Sequence, residues 1–573
     1  MKTLFHIAIA AVSTITTVAA QPRTAGLVLP NDPDASVNVI VRYRAGATGS
    51  IRAKVLRRAL RNNHDLSILG AQAVTMKAAD IAALASDPEV EAIMPDREVA
   101  AAAFSGTLDY GWMTALNVSS GSTIPYDGTG IGVAVIDSGV SGDADLQKLG
   151  RNMIVYNESF VPAETTPEDL YGHGTHVAGI VAGNGRGSTG GNNTYTIRGI
   201  APGVSVVNLK VLNQFGVGTD SAVIAAIQRA IQLKSKYNIR VINLSLGRPV
   251  FMPYFFDPLC QAVEQAWKAG IVVVVAAGNN GRDNTAGTHG YGTITSPAND
   301  PYVITVGAMN TAGTPSRSDD KIASYSSKGP TVLDHIAKPD LVAPGNRISS
   351  LERVGSYLAT KYPDNRVPLY LYTSTNGVAT AEYYQLSGTS MAAPMVSGTA
   401  ALMLQKDPSL SPDTIKARLM KTAQKLPPIQ TVAVDPATGA TYVSENDMLT
   451  IGAGYLDATA ALANTDVATA PALSPVVIAS GAGLLRLALP DDYLFGSNVL
   501  WGSNVLWGSC AVWGTNAVWG TNVLWGSNVL WGSSTVMGTN VLSGSNVLWG
   551  SNVLWGSRTP ATEALGIALN GEQ

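Results

Sequence analysis

An α/β fold, with a parallel sheet covered by helices on both faces, is predicted for the central part of this chain. From about Gly130, short β-branched apolar runs alternate with amphipathic helical patterns, without the polar alternation of a half-exposed strand. Before them a smaller unit alternates strand and helix signals, and after them the chain falls into Gly-punctuated hexads. At 573 residues the chain exceeds the ~250–300 at which single cores stop growing, so several units are expected.

Taken in order, Met1, Lys2 and Thr3 precede an apolar stretch over 4–12, and a Ser/Thr-rich segment ends at Val18-Ala19-Ala20. That pattern reads as a cleaved secretory leader over 1–20, with the precursor starting at Gln21 and leaving the cell. No other stretch approaches ~20 continuous apolar residues, so no transmembrane span is expected. Residues 36–99 read as an independent α+β unit, with strands over 37–43, 71–76 and 90–96 and helices over 50–63 and 78–86. Two helices on one antiparallel sheet follow, and the small-residue run 99–103 reads as an exposed linker.

The central domain is expected over 106–462. Its strands are predicted at 132–136, 204–212, 241–246 and 271–277, and its helices at 219–237 and 258–269. In open sheets of this kind ligands bind at the carboxyl ends of the strands. An Ala-, Thr- and Pro-rich linker is expected from 463 to 490. The C-terminal region, 491–573, contains the hexads of 495–556, in which Gly and apolar residues recur at fixed offsets and eight of the ten tryptophans lie. Such repeats predict a β module in which each repeat buries a face against its neighbours, or a low-complexity appendage with no ligand.

Composition narrows the function. Charged residues are 14%, hydrophobic residues 46%, and the formal charge is −3, so nucleic acid and anionic membrane are not the expected partners. Only Cys260 and Cys510 occur, which excludes a disulfide framework.

Three motifs carry candidate chemistry. The strand at 132–136 runs into Asp137-Ser138-Gly139, where the carboxylate either holds a turn or orients a catalytic base. Tyr171-Gly172-His173-Gly174-Thr175-His176 opens a small-residue helix; its histidines are three apart, whereas helical zinc pairs are spaced i, i+4 with a glutamate, so no metal site is read here. Glycines on both sides of His173 suggest room for a substrate backbone, as a general base needs. Ser387-Gly388-Thr389-Ser390-Met391-Ala392-Ala393-Pro394 opens another helix, where Ser390 is an N-cap or a nucleophile beside free backbone N–H groups.

Together with Ala276-Ala277-Gly278-Asn279, these motifs resemble the subtilisin-like serine proteases. The resemblance covers roughly residues 106–462 and implies the subtilisin-like α/β fold. It further implies an acyl-transfer endopeptidase with Asp137 orienting, His173 as base then acid, Ser390 as nucleophile and Asn279 as the oxyanion-hole side chain. Ser245, Leu246 and Gly247 match the substrate-pairing strand; with Ala276, Ala277, Gly278 and Thr295 they are expected to line the pocket for the residue before the scissile bond. Ala392 breaks the Gly-x-Ser-x-Gly elbow, and the order Asp, His, Ser differs from that of an α/β-hydrolase esterase.

By the same resemblance, residues 21–105, with a core at 36–99, look like an inhibitory propeptide of ferredoxin-like βαββαβ plan that is removed by self-cleavage near 100–106. The implied partners are polypeptide substrates and this propeptide, with surface, carbohydrate or self-association through 495–556. No cofactor is required for the chemistry. A structural calcium is left open, with Asp145 a loose match to a calcium carboxylate and the loop 184–196 longer than the family pattern. The insert 355–383 has no counterpart and reads as a surface loop.

Overall fold

The computed structural model describes residues 27, 29–30, 32–47, 49–100, 115, 124–148, 150–189, 193, 195–373, 383–434, 439–480 and 484–488, with short stretches at 506–507, 510–511 and 535–536. The leader over 1–20, the cleavage region after Ala100 and all but those short stretches of the hexads lie outside the described residues. The chain divides into two compact units, residues up to Asn62 with Gly70–Pro95, and Asn63–Leu69 with everything from Asp96 onward.

The first unit runs β1 (Ser36–Tyr43), α1 (Gly49–Arg58), β2 (Arg61–Leu66), β3 (Ala71–Lys77), α2 (Ala78–Leu84) and β4 (Val90–Pro95). The sheet order is β2-β3-β1-β4, with β1 antiparallel to both β3 and β4. Val39, Val41, Val55, Val74, Ile81 and Ile93 build its core, so the alternating residues of the strands meet one stripe from each helix. The helix predicted over 50–63 stops at Arg58. Leu60 N–H already donates to Thr75 O (2.8 Å), and Asn62 and Asn63 that follow have poor helix propensity, so the chain passes into β2 instead.

In the second unit, β5 (Glu98–Ala100) is followed by β6 (Gly132–Asp137), β7 (Ile154–Ser159), α3 (His173–Ala182), β8 (Ser205–Lys210), β9 (Val217–Thr219), α4 (Asp220–Tyr237), β10 (Ile239–Leu244), α5 (Pro258–Lys268), β11 (Val272–Ala276), β12 (Ile304–Asn310), β13 (Lys321–Ile322) and β14 (Leu341–Pro344). The hairpin β15 (Ile348–Leu351) and β16 (Tyr383–Leu386) then leads to α7 (Thr389–Lys406), with the short α6 (Tyr357–Lys361) inside its loop. The main sheet has the order β13-β12-β11-β10-β6-β8-β7, with β14 beside β12; every pairing is parallel except that of β13. β6 and β11 are buried at every residue, because α3 and α7 pack on each other and on the sheet, as do α4 and α5. Thr219 caps α4 by accepting from Ala222 N–H, and Asn238 ends it in the left-handed conformation.

Two segments expected as linkers are, over their described residues, built into the second unit. Residues 98–100 form β5, antiparallel to β9, because an extended segment can pair part of its backbone with an open strand edge. Residues 464–477 lie on the catalytic unit beyond α8 (Pro412–Thr422) and α9 (Ala458–Ala463), with Ala472, Leu473 and Val477 buried. Ser474 Oγ donates to Asp340 Oδ1 (2.5 Å) and accepts from Lys416 Nζ (2.9 Å). Lys416 and Lys338 both reach Asp340 in the interior, and burial pushes Lys416 down to about 7 against the pull of Asp340.

A chain ending at Ala463 loses this cover over Lys416, whereas one ending at Ala488 keeps it. The shorter chain is expected to melt more than ~5 °C below the longer one, since baring part of a buried charge cluster costs several kcal/mol. Differential scanning calorimetry of the two checks this.

Candidate active site

The sheet's carboxyl edge gathers the residues singled out by sequence. Asp137 is the last residue of β6, His173 the first of α3 and Ser390 the second of α7, and α3 packs against both β6 and α7. His173 Nδ1 lies 2.7 Å from Asp137 Oδ1, and both side chains have no exposed surface. The carboxylate is acceptor-only, so it holds the proton on Nδ1 and leaves Nε2 with its lone pair; Nε2 has no protein partner.

The turn into α3 is held by a residue the sequence reading missed. Asp169, fully buried, accepts from Gly172 N–H (2.7 Å), Thr175 N–H (2.8 Å) and Ser138 Oγ (2.8 Å), while Ser138 Oγ accepts from Gly174 N–H (2.9 Å). These bonds satisfy the free donors of the helix start and fix His173 to the strand end that carries Asp137. An Asp placed just before a small-residue helix was the available signal. The glycines flanking His173 serve this packing rather than substrate access: Gly172 has φ 104°, and a Cβ on Gly174 would sit 2.1 Å from Gly139 O.

Ser390 is locked from its backbone side. Its carbonyl accepts from Ser245 Oγ (2.8 Å) and its own Oγ donates to Ser245 O (3.1 Å). Ser245 Oγ in turn accepts from Asn243 Nδ2 (2.9 Å), so the Ser245 side chain, expected at the substrate pocket, instead ties α7 to β10. Asn279 Oδ1 accepts from Thr389 N–H (2.9 Å) and Thr389 Oγ1 (3.0 Å). That fixes the amide's orientation and leaves its NH₂ group, with no protein acceptor, beside Gly388 and the start of α7. Thr295 N–H donates to Ala277 O (3.1 Å), and its Oγ1 stands 2.6 Å from where a Gly247 Cβ would be, so Gly247, Ala277, Gly278 and Thr295 do converge.

A short strand precedes the central sheet and pairs at the entry to α4. β5 pairs with β9 through Glu98↔Thr219, Val99↔Gly218 and Ala100↔Val217. Just before it Asp96 Oδ1 accepts from Ser221 N–H (2.6 Å) at the start of α4.

His176 and Asp145 fill structural roles. His176 Nε2 is 3.0 Å from both Ile348 O and Tyr384 O, bridging the hairpin β15–β16, and burial pushes it down to about 3. Asp145 Oδ2 accepts from Tyr383 Oη (2.7 Å) and Oδ1 from Gly187 N–H (2.6 Å), so this carboxylate does not fit a calcium ligand. Among the described residues no three His, Cys, Asp or Glu side chains gather to hold a metal.

The subtilase family profile matches residues 128–442, which contain Asp137, His173, Asn279 and Ser390. The chain belongs to the subtilase family of serine proteases. It is 40% identical over 314 residues to serine protease AprX of Bacillus subtilis, covering 54% of this chain and 64% of that one. It is 38% identical over 302 residues to subtilisin DY of Bacillus licheniformis, covering 52% of this subtilase and 86% of that one. The crystal structure of fervidolysin from Fervidobacterium pennivorans, described as a keratinolytic enzyme related to subtilisin, shares the fold at TM-score 0.55 and 23% identity, over 76% of this chain and 62% of that one.

Asp169→Ala strips the donors around the helix start of their acceptor. A loss of about 3 kcal/mol is expected in urea unfolding, together with a lower kcat. His176 is neutral when folded, so its contribution is present above its unfolded pKa of ~6.5 and is lost as pH falls from there toward 3. His176→Gln should flatten the fall of stability with acid over that window by up to one proton, as read from denaturant midpoints at successive pH values.

Proposed function

We propose that this subtilase is a secreted endopeptidase that cleaves extended or unfolded polypeptides through Asp137, His173 and Ser390. The observation that carries the reading is the buried Asp137–His173 bond, which leaves Nε2 without a protein partner at the sheet edge where Ser390 opens α7. His173 Nε2 takes the proton of Ser390 Oγ as that oxygen attacks the scissile carbonyl, then gives it to the leaving amine; water repeats the cycle on the acyl-enzyme. For the attack the hydroxyl turns from Ser245 O toward the base. The Asn279 NH₂ group and the N–H groups at the start of α7 meet the oxyanion, the charge that develops only in the transition state.

Substrate enters as a strand. β9 on one side and residues 245–247 on the other offer backbone groups that any extended chain can use, and the converging Gly247, Ala277, Gly278 and Thr295 shape the pocket for the residue before the scissile bond. No acidic side chain stands among them, which favours apolar or mid-sized residues over Lys or Arg.

Residues 21–105 act in this reading as a ferredoxin-like inhibitory propeptide, supported by the βαββαβ order of the first unit and by β5 lying where substrate would. The alanine run after Ala100 is the segment that the enzyme cuts in itself. The N-terminal leader supports export, and the hexads at 495–556 serve as a β-structured module for association with a surface, dispensable for catalysis.

Ser390→Ala and His173→Ala should each abolish cleavage of a denatured protein, and the double variant should be little worse than either. In expressed Ser390→Ala the propeptide should stay covalently attached, read by mass spectrometry. Normal processing in that variant would contradict self-cleavage, and a peptide-library profile dominated by basic residues would contradict the pocket.

A further inference from the structure

The insert between β15 and β16 sits beside the catalytic histidine. Tyr357 N–H donates to Leu170 O (2.9 Å) and Leu358 N–H to Tyr171 O (3.0 Å), so α6 is stitched to the segment that leads into His173. The Tyr357 ring stacks on Tyr171 (centroids 6.1 Å, planes 21° apart), and Phe215 meets Tyr357 edge-on (5.7 Å, 81°). Tyr171 itself lies 6.4 Å from the His173 ring and is buried. Phe215 and Tyr357 are not: 59% and 36% of their surface remain open. Phe215 stands at the entry to β9, two residues before Val217, which pairs with Ala100. Backbone at Gly216 runs so close to Tyr171 that a Cβ there would be 2.6 Å from the ring.

An extended substrate presents successive side chains to opposite sides. The residue before the scissile bond points into the pocket of Gly247, Ala277, Gly278 and Thr295, so the one preceding it points the other way, toward His173, Tyr171 and the two open rings. We propose that Tyr357 and Phe215, backed by Tyr171, form a wall that selects a large apolar or aromatic side chain at this penultimate position. The inference rests on the endopeptidase reading above and adds a specificity determinant supplied by the insert. Two exposed aromatic rings held in an edge-on pair by a capped helix gain by covering with a third ring or a branched side chain, and they offer no cation to a carboxylate.

The test uses the full chain and a set of fluorogenic peptides that differ only in the penultimate residue, Phe, Leu, Ala or Asp, with Leu before the cleaved bond. Wild type should show kcat/KM for the Phe peptide about tenfold or more above the Ala peptide. Tyr357→Ala and Phe215→Ala should each lower that ratio about fivefold, and Tyr357→Phe, which keeps the stack, should preserve it. Because the quantity read is a ratio, a general weakening of His173 support by the substitution cancels. Should Tyr357→Ala fail to fold, the solvent-facing Phe215→Ala carries the test. A ratio near one in wild type, or one unchanged in both Ala variants, overturns the wall while leaving the peptidase standing. Absence of turnover on every peptide and on a denatured protein overturns the peptidase reading, and this one with it.

Discussion

The hydrogen bond between Asp137 and His173 is made where water does not reach, and most of the surrounding architecture follows from that condition. A carboxylate buried without a cation needs donors, and here they come from the His173 ring and from Ser138 N–H at 2.7 Å. Neither donor is worth much unless its backbone is held, because a buried acceptor with a wandering partner carries the whole desolvation penalty. Asp169 supplies the hold by gathering Gly172, Thr175 and Ser138 around one more buried carboxylate. The small residues of α3 let the helix come close enough for this, at the expense of helix propensity that packing against β6 and α7 replaces.

A second buried charge cluster joins the start of α4 to the segment after β10. Arg248 Nε reaches Asp220 Oδ1 (2.8 Å), Arg248 Nη2 reaches Asp257 Oδ1 (2.7 Å), and Ser296 Oγ donates to Asp257 Oδ2 (2.9 Å). Asp220 directly follows β9 and Arg248 directly follows residues 245–247, so one ion pair ties together the two backbone segments that an extended chain would lie between. Two carboxylates push the guanidinium's pKa up, and it stays charged across the whole range in which the protein is folded. Removing one member of such a cluster leaves an uncompensated charge inside, a cost of ~3–5 kcal/mol, which makes the width of the cleft a rigid property.

What was legible in the sequence is what is local. A carboxylate at the end of an apolar strand, a histidine and a serine each at the first turn of a helix, and β-branched runs too apolar for a one-sided sheet are all stated within a dozen residues, so the parallel sheet is legible from pattern and Asp137, His173 and Ser390 stand out as candidates. What was missed is made by contacts distant in sequence. Ser245 reads as pocket lining beside Leu246 and Gly247, and only the approach of α7 turns its hydroxyl toward the Ser390 carbonyl. Residues 464–477 have the composition of a linker, yet Ser474 bonds both Lys416 and Asp340 in the interior. The insert after β15 has no periodicity to read, and its position beside Tyr171 is set by two backbone hydrogen bonds that no pattern announces.

Under the proposed function, one cleft would have to hold the chain's own segment and still discriminate among substrates. The pairing of β5 with β9 uses backbone N–H and C=O groups, which every extended polypeptide has, so this contact supplies affinity without choosing a sequence. Choice has to come from side-chain walls on either side. The alanines that follow β5 carry almost no side chain to fill such walls, and the segment is secured instead by Asp96 at the start of α4, on residues a substrate need not touch. In the proposed reading, a segment held mainly by backbone and by a remote cap occupies the cleft without matching its selectivity, and a wall built from an insert resets that selectivity without disturbing the buried Asp137–His173 bond.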